Sequence, residues 1–338
     1  MQNRLQDGSW PMNPGKNSNS RTTSHPHASA NQPEKVKKLT LWKRLLVRCG
    51  RKPTRKRVHD LRTVTLRIQA ELEYRLQGEW MDEEVRRIAQ RWCTQAEKLR
   101  GALAQVREAD VWVAMLANLH EAVERPGGYS PRSNRGCVSQ IEQLEEKIKQ
   151  KRGSWEKMLI GKIEDRRKRL DKLSDELEQE VSLQQLEAEG AGTIIDKLAK
   201  VAVEFPLLNA DNLHEFRKSI KSVRYLAEIF GTNSPQAKKQ AAMLKKMQTA
   251  VGTWHDWEAL ARRAQNAGGS KQSYADLAEL LETLTAESLD KAIDVCERTT
   301  QRLLEQGIRN ADSATDSLQK LPVRAVVPSL SAYPKKLA

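Results

Sequence analysis

The sequence predicts an all-α fold: two pseudosymmetric helical bundles from an internal duplication, with a long charged helical hairpin and a disordered N-terminal tail. Three observations lead there. Apolar residues recur at three- and four-residue steps, and no stretch alternates with period two for long enough to nominate a strand. Only 5% of the residues are aromatic and 38% are hydrophobic, which suits a helical protein. A histidine-led basic pattern occurs twice, at Val58-His59-Asp60-Leu61-Arg62 and again at Leu213-His214-Glu215-Phe216-Arg217, which implies two related halves.

Residues 1–34 are rich in Asn, Ser, Pro and His and show no periodicity, so they read as a disordered tail. His25 and His27 within it read as solvated side chains rather than a metal pair. Residues 35–57 hold a basic, partly amphipathic helix ending near Gly50 and Pro53. Lys38 intrudes among Leu39, Trp42 and Leu45, which argues for a basic arm and against a membrane-surface helix. The tail is therefore drawn as residues 1–54.

The first half, residues 55–187, opens with a helix from Arg55 to Gln77 that breaks at Gly78. Helices from Met81 to Val106 and from Glu108 to Glu124 follow, then a loop over Arg125 to Pro131. Residues 138–187 are almost all charged or long-chain. Ile141, Leu144 and Ile148 precede a break at Gly153-Ser154, and Leu159, Ile163, Leu170, Leu173 and Leu177 follow it, so this reads as a helical hairpin or coiled-coil arm. Its apolar stripe suits an intramolecular pairing or a homodimer contact. The second half, residues 190–307, carries helices from Thr193 to Glu204, Asp211 to Phe230, Pro235 to Val251, Asp256 to Asn266 and Tyr274 to Gln306. Asp211-Asn212 supplies an N-cap for the second of these. Residues 308–338 form a Pro-punctuated C-terminal tail.

Charge sets the class of partner. Lys and Arg outnumber Asp and Glu by 58 to 44, a formal net charge of +14. Between Lys35 and Arg75 there are 14 basic and 3 acidic side chains, and between Leu213 and Lys246 there are 8 and 2. Like charges packed so densely repel one another unless an anion neutralises them, which points to a polyanionic partner. No apolar run approaches the ~20 residues needed to span a bilayer. Cys49, Cys93, Cys137 and Cys296 lie far apart without metal-site spacing, so free thiols in a reducing, cytoplasmic compartment are expected. The N-terminus has no apolar h-region of a secretory signal.

The helix from Leu213 to Phe230 is the focus. At about 100° per residue it gathers His214, Arg217, Lys218, Lys221, Arg224 and Tyr225 into an arc of roughly 120°, beside an apolar arc of Leu213, Phe216, Ile220, Val223 and Ala227. One face can enter a core while the other holds a row of cations. Each half then carries a second marker, Val106-Arg107-Glu108-Ala109-Asp110-Val111-Trp112-Val113 and Val251-Gly252-Thr253-Trp254-His255-Asp256-Trp257-Glu258, in the same order.

The combination His214-x-x-Arg217-x-x-x-Lys221-x-x-Arg224-Tyr225, then Val251-Gly252 and Asp256, resembles the CHAD family, the conserved-histidine α-helical domain. An earlier copy at His59-x-x-Arg62 and Arg107-x-x-Asp110-Val111 extends the resemblance over about three quarters of the chain. It implies two bundles facing each other across a basic cavity that binds inorganic polyphosphate, in the cytoplasm and at polyphosphate granules. Carried over position by position, it assigns His59, Arg62 and Arg67 in the first half, and His214, Arg217, Lys221 and Arg224 with Tyr225 and Lys245 in the second. Lys218 joins them from the helical arc. Family members usually carry Arg or Lys seven and ten residues after the first histidine. This chain has Leu66 and Gln69 there, which implies weaker binding by the first half.

A phosphate polymer presents about one charge per unit and no bases, so a row of Arg and Lys at helical spacing matches it without aromatic platforms. Arg107, Asp110 and Asp256 are expected to support that row; Asp256 equally suits the first turn of a helix. His59 and His214 equally suit core histidines bonded to an acid. The chain shows no GxxxxGK[ST] loop, no HExxH, no nucleophile in a recognisable setting and no acidic cluster for Mg²⁺, so a non-enzymatic protein without cofactor or metal is expected. A phosphohistidine at His214 is the catalytic alternative. Two other readings stay open: a nucleic-acid or general polyanion binder using the same cations, and a scaffold that recruits a partner through residues 138–187.

Overall fold

Eight helices form from this sequence: α1 (Val36–Arg51), α2 (Arg55–Leu76), α3 (Glu83–Glu124), α4 (Asn134–Glu180), α5 (Gly190–Glu204), α6 (Leu213–Phe230), α7 (Pro235–Ala267) and α8 (Ala275–Thr315). The structure, a computed structural model, describes residues 36–76, 82–125, 134–180, 190–267 and 274–315, and among these there is no strand. The expected tail up to residue 35 with His25 and His27, the break at Gly78, the loop beyond Arg125, the end of the charged arm and the last residues of the C-terminal tail lie outside the described residues.

Two short helices followed by two long ones occur twice in chain order. The long pairs are antiparallel. Early α3, from Ile88 to Val106, packs with late α4, from Leu159 to Leu177, and together with Trp42, Leu46, Val58 and Leu61 of α1 and α2 they make one core. Early α7, from Ala237 to Trp254, packs with Ala292, Cys296 and Leu303 of late α8 and with Phe216, Ile220 and Val223 of α6 to make a second. The other ends of all four long helices meet in a third core, where Leu116 and Leu119 of α3 and Ile141 and Leu144 of α4 join Leu260 of α7 and Leu277 and Leu281 of α8. Each fully buried Leu or Ile there contributes about 1.5–3 kcal/mol.

The structure corrects several sequence expectations. Residues 36–51 belong to the folded body and not to a disordered tail, because α1 buries Trp42, Leu46 and Cys49 completely. The Trp42 indole N–H donates to Thr65 Oγ1 at 2.8 Å, and that hydroxyl donates to the Leu61 carbonyl, so neither polar group is stranded. Residues 138–180 are one straight-through helix packed on α3, not a hairpin or a free arm, and the whole apolar stripe is buried within the chain. Breaks expected near residue 107, at Gly153 and at Gly252 do not occur. A helical glycine costs only about 1 kcal/mol against Ala, less than the buried residues on either side provide.

Two further glycines read as helix ends are close-approach points; α1 does end beside Gly50, at Arg51, whereas α8 continues past Gly307. Gly50 lets α4 come near, since a Cβ there would meet Ile163 Cγ2 at 3.0 Å. At Gly307 a Cβ would stand 2.7 Å from Ile195 Cγ2, so α8 runs past it to Thr315 while α5 packs against it. Asn212 occupies the N-cap of α6 without capping it: its carboxamide oxygen accepts from the Asn209 N–H at 3.0 Å and its nitrogen donates to the Leu207 carbonyl at 2.7 Å.

Candidate functional site

Helices α2 and α6, which carry the two histidine-led patterns, pack against each other. Tyr74 and Phe230 meet edge to face with ring centroids 5.5 Å apart, and Arg67 Nε lies 2.9 Å from Glu228 Oε2. The apolar arc of α6 is buried as its spacing requires, with Leu213, Phe216, Ile220, Val223 and Ala227 all inside. Beside them Arg217 and Lys221 are half-buried and Arg224 is buried.

Lys221 reports the result. Burial, then the surrounding charges of Arg62, Arg217, Arg100 and Arg224, press its ammonium from 10.5 down to about 7. Arg62 of α2 is lowered by burial and by Arg217, Arg100 and Arg107, with Tyr225 the opposing influence. Cations from α2, α3 and α6 therefore converge on one place. Several of their donors have no acceptor among the described residues: Arg62 Nε, Arg217 Nε, Arg224 Nε and Arg107 Nη1 are buried and unpaired. An N–H left so is costly unless something accepts from it.

The acids are few and uneasy. Asp256 of α7 is raised by burial although Arg217, Arg107 and Arg62 pull the other way. Glu108 of α3 is raised by burial, with Asp256 a like-charged neighbour and Arg62 and Arg217 opposing. His214 and His255 stack obliquely, centroids 5.2 Å apart. Burial, then Arg217 and His214, push His255 down to about 4, and its Nδ1 lies 3.7 Å from Glu258, too far for a hydrogen bond. His59 is exposed, and the partial burial of its ring, followed by the charge of Arg107, lowers its pKa.

Of the residues singled out in the sequence, Arg62, Arg217, Lys221, Arg224 and Tyr225 come together, with Arg107 and Asp256 in electrostatic reach and His59 and His214 at the margins. Arg224 lies over the Tyr225 ring at 4.1 Å and is hydrogen-bonded to Glu228. Others stand apart. Lys218 is exposed and paired with Glu215 at 2.7 Å, and Lys245 is exposed with no interaction among the described residues tying it to the cluster. Arg67 is held by Glu228. Asp110 takes Arg152 Nε at 2.9 Å, and Arg152 Nη2 donates to the Pro53 carbonyl at 2.7 Å, so this acid fastens α4 and the α1–α2 connection while its charge also reaches Arg107.

Sequence reasoning missed Arg100, Glu108 and His255. Glu108 and His255 sit inside the two repeated markers and were open to notice there. Arg100 carries no sequence signal, because it joins the cluster only through the packing of α3 on α2. Two surface grooves, of about 440 Å³ beside Lys147, Lys151 and Arg263 and about 460 Å³ beside Arg87, Arg91 and Arg169, share no lining residue with the cluster.

The sequence signature of the CHAD domain matches residues 34–265, more than half of the chain and including α1. The chain belongs to the CHAD family. Among solved structures, PptA from Streptomyces chartreusis is similar in fold, with a TM-score of 0.51 at 15% identity, over 81% of this chain and 97% of that one. No curated protein matches the sequence. Helix α8 lies beyond the matched residues yet completes two of the three cores, so the CHAD body of this protein extends through it. Among the described residues no three His, Cys, Asp or Glu side chains gather as a metal site, and no helix is long and apolar enough to cross a membrane.

Proposed function

We propose that this CHAD protein binds inorganic polyphosphate without chemically altering it, through the cations that α2, α3 and α6 bring together. The observation carrying the reading is the convergence of Arg62, Arg217, Lys221 and Arg224 with three unpaired guanidinium N–H groups. A linear phosphate chain offers closely spaced anionic oxygens, which accept from those donors and relieve the mutual repulsion. Nucleic acid offers phosphates too, but the Tyr225 face is occupied by the Arg224 guanidinium, which favours a ligand without bases to stack. Placement at polyphosphate granules in the cytoplasm follows as the cellular consequence of such binding.

Titration with long-chain polyphosphate, using RNA of matched charge as competitor at two salt concentrations, tests the proposal. Selective, salt-sensitive binding is expected. Arg217, Lys221 and Arg224 replaced together by Ala should cost several kcal/mol, on the order of 1.5–3 kcal/mol for each charged hydrogen bond, and flatten the salt dependence. RNA binding as tight as polyphosphate binding, or an unchanged affinity in the triple variant, overturns the reading.

A further inference from the structure

The two copies of the histidine-led pattern diverge after their second cation. In α6, positions three, seven and ten after His214 are Arg217, Lys221 and Arg224; in α2 the same positions after His59 are Arg62, Leu66 and Gln69. Leu66 is buried with the apolar face of α2. Gln69 is buried as well, but its carboxamide oxygen accepts a hydrogen bond from Arg100 Nη1 of α3 at 2.7 Å. Its carboxamide nitrogen donates to Glu73 Oε1 at 2.7 Å, which fixes the orientation of the amide and turns the oxygen toward Arg100.

A neutral oxygen is a particular choice of partner. It holds a guanidinium in place without cancelling its charge, and the rigid fork then presents its remaining N–H groups in a fixed direction. The nearest carboxylate to Arg100, Glu97, is exposed and 3.7 Å from Nη2, a solvated contact of little consequence. Arg100 is also close enough to Arg62 and Lys221 to weigh on both. Its cation therefore stands where the α2 stripe has lost its own.

We propose that Arg100 is a phosphate-binding residue of this site, delivered from α3 to replace a cation absent from α2, with Gln69 as its positioning residue. The inference rests on the polyphosphate reading. It makes the binding surface three-sided, with α3 contributing beside the stripes of α2 and α6, and it gives the first half a grip that its own histidine-led helix lacks.

Polyphosphate titrations of the full chain at two salt concentrations, with Arg217→Ala as reference, test it. Arg100→Ala is expected to weaken binding about tenfold and to reduce the salt slope by about one. Gln69→Ala should weaken binding a few-fold with the slope unchanged, since the charge remains. Adding Gln69→Arg to Arg100→Ala should restore most of the affinity and the slope, because the cation then stands on α2 itself; a merely structural Arg100 would not be rescued this way. Arg100→Gln, with circular dichroism melts, serves in place of the alanine variant if that one is poorly folded, and the same loss is expected. If Arg217→Ala weakens binding while Arg100→Ala and Arg100→Gln leave affinity and slope unchanged, the role of Arg100 is overturned and the polyphosphate reading stands. If the unsubstituted protein does not bind, or Arg217→Ala binds equally well, both fail together.

Discussion

Lys221 has been moved furthest from its ordinary chemistry, from 10.5 to about 7, by burial and then by Arg62, Arg217, Arg100 and Arg224. Between those two pH values the unfolded chain holds a proton that the folded one has released. Stability contributed by this group therefore rises with pH from about 7 to about 10.5, and the full penalty is present below 7. An anion seated beside Lys221 reverses the shift, so binding above pH 7 must take up a proton and affinity must fall as pH rises past 7. Calorimetry with long-chain polyphosphate at pH 8, in two buffers of different ionisation enthalpy, should show uptake approaching one proton, and Lys221→Met should abolish it; equal observed heats in the two buffers would place the ligand away from Lys221. Much of this cluster was legible because His214, Arg217, Lys221 and Arg224 lie on one helix, where spacing alone assigns a face. Lys218, only slightly off that face, turned out paired with Glu215. Arg100 was not legible, since its role comes from which helices touch and no local pattern encodes that; the pairing of Glu228 with Arg224 is an i,i+4 contact that spacing does encode, whereas its contact with Arg67 needs α2 to meet α6.

At the scale of elements, apolar periodicity identified every helix, whereas punctuation residues misled about their ends. Glycine is a local stop signal only when no partner needs the space: α1 does stop at Arg51, one residue past Gly50, whereas at Gly307 the neighbouring Ile195 takes the space and α8 runs on. The same logic explains α1. Its high charge masked a narrow apolar edge of Trp42, Leu46 and Cys49 that is completely buried. Trp42 also meets Trp92 edge to face at 5.4 Å and satisfies its N–H on Thr65. Truncating this side chain removes a large aromatic from a closed core, so Trp42→Ala is expected to destabilise the protein by about 3–5 kcal/mol, read as a lower urea midpoint with an unchanged slope. A change below about 0.5 kcal/mol, the level of an ordinary surface substitution, would return α1 to the status of a dispensable arm.

For the whole molecule, the three cores and the cation cluster oppose one another. The long helices are closed at one end by a core common to both halves, and α2 and α6 are brought into contact by the remaining two, so the fold itself forces Arg62 against Arg217 and Lys221. Binding sites commonly carry such cost, and it has a measurable signature. If the cluster exists for a ligand, removing charge should strengthen the free protein and weaken its response to the anion. Arg62→Met combined with Lys221→Met is therefore expected to raise the thermal midpoint of the free protein at pH 7. In the unsubstituted protein, polyphosphate at a hundred times its dissociation constant should add about 2.7 kcal/mol of stability, and in the double variant most of that gain should vanish. A structural ion-pair network would behave oppositely, because each cation removed would strand an acid such as Asp256 and lower the midpoint with or without polyanion. Differential scanning calorimetry of the two proteins, with and without polyphosphate, separates a site under electrostatic tension from a scaffold held together by its charges.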